Sequence, residues 1–163
     1  MSSIDGQKVS LAIAVILWSI LGSYFAQPLV HGNDSATTLI VTVFTVLAGV
    51  LMAVITLIGD PKSLPSGSWR KAELAYQRTY NRLMRHKWLF LLYLWVLALI
   101  FLSILFKGKL ANYQSVIEYI YLFLANVAFI LSLRLPSSLL AIQLERIEYE
   151  IEQRRKDAGI EKK

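Results

Sequence analysis

Few side chains in this 163-residue chain are equipped for chemistry, and most of those lie within long apolar stretches. Thr42, Thr45, Gly49, Ala53 and Thr56 recur on one helical face, with Ala48 and Met52 beside it. Small residues let helix backbones approach, and threonine hydroxyls bond across such a contact or back to their own helix. Two uses of this face are open: packing against another helix of the chain, or a pore-lining or subunit-contacting surface where hydroxyls meet water or an ion. Asn126 falls near the middle of a second apolar stretch. An amide in hydrocarbon needs a partner, and an interhelical bond worth about 0.6–2 kcal/mol would lock its helix to the first or second span. The alternative for Asn126 is a water-facing or gating position. Glu118 and Arg134 stand near the two ends of the same stretch, where they can reach the interface, so neither is read as a charge relay.

No constellation here predicts an enzyme. His31 and His86 fall on opposite sides of the membrane in the topology argued below, no carboxylates pair within a span, and no glycine loop cradles a phosphate. The chain has no cysteine, which excludes disulfides, thiolate metal sites and cysteine nucleophiles. The expectation is a non-enzymatic protein without cofactor or metal.

The elements that carry these residues are four apolar runs: Val9–Val30, Leu39–Gly59, Trp88–Phe106 and Val116–Leu135. Each is long enough to cross a hydrocarbon core, which takes about 20 apolar residues as a helix. With 56% apolar residues, and with Trp88–Phe106 uncharged and apolar around its whole circumference, the chain is too hydrophobic for a soluble domain of its size. The first run is read as a retained helix, because only Lys8 precedes it against Asp5, and cleavage at Ala26 would leave bulky Tyr24 at the minus-three position. The predicted class is all-α: a polytopic membrane protein of four transmembrane helices.

Charge gives the predicted orientation. Between Asp60 and Lys87 stand Lys62, Arg70, Lys71, Arg78, Arg82, Arg85 and Lys87 against Asp60 and Glu73, and seven more Lys or Arg run from Arg134 to Lys163. The other two loops carry only Lys107 and Lys109. Basic short loops stay in the cytoplasm, which puts both termini and the middle loop inside. Trp69 and Trp88 then suit the inner interface, and Tyr24, Tyr113 and Tyr119 the outer one, while Trp18 lies deep enough to pack.

The middle loop is predicted to be mostly helix. The breakers Gly59-Asp60-Pro61 and Pro65-Ser66-Gly67 end the second span, Ser68 can cap, and nothing interrupts from Trp69 to Phe106. An apolar stripe, Trp69, Ala72, Tyr76, Tyr80 and Leu83, runs along an otherwise basic segment. Helix three is thus expected to extend into the cytoplasm over 68–87, within a membrane domain of residues 1–135. Residues 136–163 form a cytoplasmic helix and tail: Pro136 interrupts, Ser137 or Ser138 caps, and Leu140, Leu144, Ile147 and Ile151 form a seam at spacings of four, three and four. That seam is expected to dock on the Trp69–Leu83 stripe or on the same tail in neighbouring subunits. Arg70, Lys71, Arg78, Arg82, Arg85 and Lys87 suit anionic lipid headgroups, at about 1 kcal/mol each near the surface, or an acidic protein. No nucleic-acid-binding motif accompanies the charge, so direct contact with nucleic acid is not expected.

Four short spans, a basic segment between spans two and three, and the stretch Ala53-Val54-Ile55-Thr56-Leu57-Ile58-Gly59 resemble the small four-helix membrane proteins of bacterial anti-phage systems, the KwaA-like and RexB-like proteins. The linker Asp60–Ser68 is longer than in the RexB-like pattern. The resemblance implies an inner-membrane homo-oligomer working with a cytoplasmic partner, and for a RexB-like member an ion leak that depolarises the cell. Two functions are therefore expected to compete: a scaffold or sensor that recruits a cytoplasmic effector, and an oligomeric ion channel.

Overall fold

The computed structural model describes residues 6–58, 69–107 and 111–159, and every element among them is a helix. In chain order these are α1 (Gly6–Val30), α2 (Asp34–Ile58), α3 (Trp69–Leu105), α4 (Ala111–Ser132) and α5 (Leu135–Asp157). Four stretches are long and apolar enough to cross a membrane: Val9–Val30, Asp34–Thr56, Thr79–Leu105 and Tyr113–Leu144. The chain therefore has the architecture of a multi-pass membrane protein. At about 1.5 Å per residue, the 37 residues of α3 extend to roughly 55 Å, well beyond a hydrocarbon core. The linker 59–68, with its breakers and the expected Ser68 cap, lies outside the described residues.

Local chemistry sets the helix ends. Gly32 adopts φ 72°, a left-handed conformation that glycine tolerates, and turns the chain out of α1. Asn33 then caps α2, its Oδ1 accepting the Ala36 N–H at 3.1 Å, and Asp34 places negative charge at the positive end of the helix dipole. Between α4 and α5 the break is confined to Leu133 and Arg134. Pro136 has no N–H to continue the ladder, and the Ser138 N–H restarts it on the Arg134 carbonyl at 3.1 Å. The predicted serine cap is corrected here: Ser138 Oγ donates to the Leu135 carbonyl at 2.9 Å, within a helix that already starts at Leu135.

Packing follows 3–4 spacing, the pattern of left-handed helix bundles. On α3 the buried residues are His86, Leu89, Tyr93, Val96, Ile100 and Ser103; on α2 they are Phe44, Leu51, Val54 and Ile58, in register with half-buried Ile40 and Leu47. These two seams face each other, with the Phe44 and Tyr93 rings edge to face at 5.5 Å. Helix α4 packs against both α3 and α1, whereas α1 and α2 touch only lightly. Ser132 Oγ donates to the Ala128 carbonyl, so its single proton is committed and the Tyr93 hydroxyl must donate to Ser132 across the α3–α4 contact. At the far end of the bundle, Ile142 and Leu139 of α5 pack with Leu83, Val54 and Ile58, joining α5 to α2 and α3.

Helix α1 is the least covered. It meets α4 through Ser19, Gly22, Ser23 and Ala26, while Trp18, Tyr24, Phe25 and Leu29 stand at 66–72% exposure. The expectation that Trp18 packs is corrected: it lies off the small-residue stripe and faces outward.

Candidate functional site

A buried carboxylate is the most organised polar feature of the protein. Glu118, in the second turn of α4, is 3% exposed. Its Oε2 accepts from Gln27 Nε2 at 3.2 Å and lies 2.8 Å from His31 Nδ1, while Oε1 accepts from Gln114 Nε2 at 3.1 Å. Gln27 and His31 sit one turn apart at the end of α1, as Gln114 and Glu118 do at the start of α4, so two i,i+4 polar pairs close on each other. The expectation that Glu118 extends to the interface is corrected. Burial without partners would be costly for a carboxylate, and the three nitrogen donors replace the water it loses. His31 remains half exposed and links the buried group to the outside. An ionised carboxylate only accepts, so the imidazole Nδ1 donates to it. Tyr121, one turn deeper, lies beside Glu118 and Thr37. The cluster thus joins a buried carboxylate to an accessible imidazole. Among the described residues no three His, Cys, Asp or Glu converge as a metal site.

The α2 face is turned away from the protein's own helices. Thr42, Thr45, Gly49, Ala53 and Thr56 are all exposed, and a Cβ added at Gly49 would meet no other atom within 4 Å. At 100° per residue this face lies roughly 180° from the Phe44–Leu51–Val54–Ile58 seam. Packing within the chain is thus corrected, because the larger side chains on the opposite face take the contact with α3. The hydroxyls of Thr42, Thr45 and Thr56 donate to the carbonyls of Thr38, Val41 and Met52 at 2.8–3.0 Å, satisfying themselves within the helix.

Asn126 meets helix α1 at a glycine. A Cβ at Gly22 would stand 3.2–3.3 Å from the Asn126 amide, whose Nδ2 donates to the Leu122 carbonyl at 3.0 Å. The expected interhelical contact is present as packing, and the hydrogen bond stays within α4. Gln27 and Gln114 carry no motif; the pointer to them is their i,i+4 pairing with His31 and Glu118 at adjoining span ends.

Of the basic set, Arg82 is half-buried and Arg85 and Lys87 are exposed; the side chains of Arg70, Lys71 and Arg78 lie outside the described part. His86 is buried and donates Nδ1–H to the Arg82 carbonyl at 2.7 Å. On α5 the predicted seam is uncovered: Leu140, Leu144, Ile147 and Ile151 are 47–59% exposed. Docking of that seam on Leu83 is corrected, since Leu83 packs instead on the cluster that Ile142 forms with Val54 and Ile58; the side chains of Trp69 and Ala72 lie outside the described part. Compared with known proteins, the chain matches no family model, no curated protein and no solved structure.

Proposed function

We propose that this protein is a non-enzymatic scaffold or sensor of the bacterial inner membrane, which oligomerises and recruits a cytoplasmic effector, in the setting of anti-phage defence. The observation that carries this reading is the α5 seam. Leu140, Leu144, Ile147 and Ile151 form a continuous apolar line on a charged helix, and the protomer leaves that line exposed. Charge distribution supports a cytoplasmic position for α5 and for the first turns of α3, with both termini inside. The Glu118–His31 cluster then faces the other side of the membrane, where it suits an input that α5 transmits. The defence setting rests on the resemblance of the Ala53–Gly59 stretch and of the layout of spans.

The test is assembly of a seam variant. Replacing Leu140, Leu144, Ile147 and Ile151 together by Gln leaves Ile142 and Leu139 to dock α5, so insertion and helix content persist. Native mass spectrometry in mild detergent should report loss of the oligomer and of the co-expressed effector. Assembly equal to the parent would overturn the reading.

A second reading, an ion-permeable oligomer that depolarises the membrane, is favoured by the outward α2 face. Its hydroxyls and the open space at Gly49 would line a path between subunits. Channel function predicts single-channel conductance in planar bilayers that Gly49→Trp abolishes; a silent bilayer counts against it.

A further inference from the structure

A cavity of about 570 Å³ opens between α3 and the α4–α5 junction, within the size range of small-molecule sites. Its α3 wall is graded in polarity. Along α3 the lining passes from Arg82, Arg85 and buried His86 to Leu89 and Leu92, about 15 Å further on at 1.5 Å per residue. On the facing wall Leu131 precedes Arg134 at the turn where α4 gives way to α5, and Leu135, Ser138, Ala141 and Ile142 of α5 complete the lining. Three arginines line this cavity, and among the described residues no carboxylate does. The cations lie within about two turns of the point where the uncharged run Trp88–Phe106 begins, the level at which headgroup phosphates stand.

We infer that this cavity binds one anionic phospholipid, its phosphate held by Arg82, Arg85 and Arg134 and the upper part of an acyl chain lying along Leu89, Leu92 and Leu131. Guanidinium forks match phosphate oxygens in pairs, and their long stems can cover the apolar wall while the charged heads stay at the polar end. Free phosphate would leave the leucine wall facing water, which the same cavity avoids when an acyl chain fills it. The site differs from a diffuse attraction of basic side chains to a membrane, because it has a volume, two walls and a stoichiometry of one. It stands apart from the scaffold reading and survives if that reading fails.

The test uses the full chain in mild detergent, titrated with dioleoyl phosphatidylglycerol, dioleoyl phosphatidylcholine or inorganic phosphate and read by native mass spectrometry. One phosphatidylglycerol per chain should be retained at least tenfold more tightly than phosphatidylcholine, and excess inorganic phosphate should not displace it. Combined replacement of Arg82, Arg85 and Arg134 by Gln should reduce the preference to within about twofold, whereas Arg154→Gln with Arg155→Gln on distant α5 should preserve it. Ala141→Trp keeps every charge and fills the lined space, so it should also lose the bound lipid while circular dichroism reports unchanged helix content. Equal retention of the two lipids, displacement by inorganic phosphate, or a triple variant that binds like the parent would each overturn the assignment.

Discussion

Glu118 concentrates the electrostatic risk of the bundle in one residue. Its carboxylate is buried and complemented by Gln27 of α1, by His31 in the turn that follows α1, and by Gln114 of its own helix. Removing one member of such a set strands the others: an unsatisfied buried polar group costs about 1–3 kcal/mol. Glu118→Ala should therefore lower stability by about 1–3 kcal/mol in detergent unfolding, while Glu118→Gln, which keeps an acceptor for Gln27, should cost less. His31→Ala should fall near Glu118→Ala, since it leaves the buried charge with amide donors alone. A Glu118→Ala protein as stable as the parent would show the cluster to be energetically idle. The residue itself was visible in the sequence as an ionisable group within an apolar helix. Its burial was not, because that depends on Gln27 and His31, which are 91 and 87 residues away along the chain.

At the scale of the helix, existence and length were readable while facing was not. The uninterrupted run from Trp69 predicts a long third helix, and α3 spans Trp69–Leu105. The buried seams of α2 and α3 obey 3–4 spacing just as regularly, yet leucine, isoleucine and valine also occupy their outward faces, so hydropathy alone does not say which face packs within the chain. Shape decides instead. The small-residue stripe that joins helices is Ser19, Gly22, Ser23 and Ala26 on α1, and the threonine stripe on α2 looks outward. The α1–α4 contact makes a specific prediction at Gly22. A methyl group there comes within 3.2–3.3 Å of the Asn126 amide, so Gly22→Ala should destabilise the pair. Asn126→Ala alone should cost under about 1 kcal/mol, because its hydrogen bond runs to its own helix. Combined, the two substitutions should be less harmful than their sum, by roughly 0.5 kcal/mol or more in a double-mutant cycle. Strict additivity would mean that Asn126 does not set the separation of α1 and α4.

For the whole molecule, direction across the membrane decides what the two ends can do. The His31–Glu118 cluster and the Asp34–Lys107 pair gather at one end of the bundle; the arginine-lined cavity and the α5 docking contacts gather at the other. Basic residues outnumber acidic ones strongly only at the second end, so that end should face the cytoplasm. The absence of cysteine makes this directly measurable, since any introduced thiol is the only one in the chain. Ser35→Cys, exposed at the start of α2, should react with a membrane-impermeant maleimide on intact spheroplasts. Ala158→Cys, exposed beyond α5, should react only after permeabilisation. The reverse pattern would expose α5 and the cavity to the outside, and with them a seam that no cytoplasmic effector could reach. Labelling of both thiols without permeabilisation would break the even number of crossings itself. The expected pattern leaves one arrangement in which a half-exposed histidine samples the outer side while the apolar α5 seam is offered to the cytoplasm.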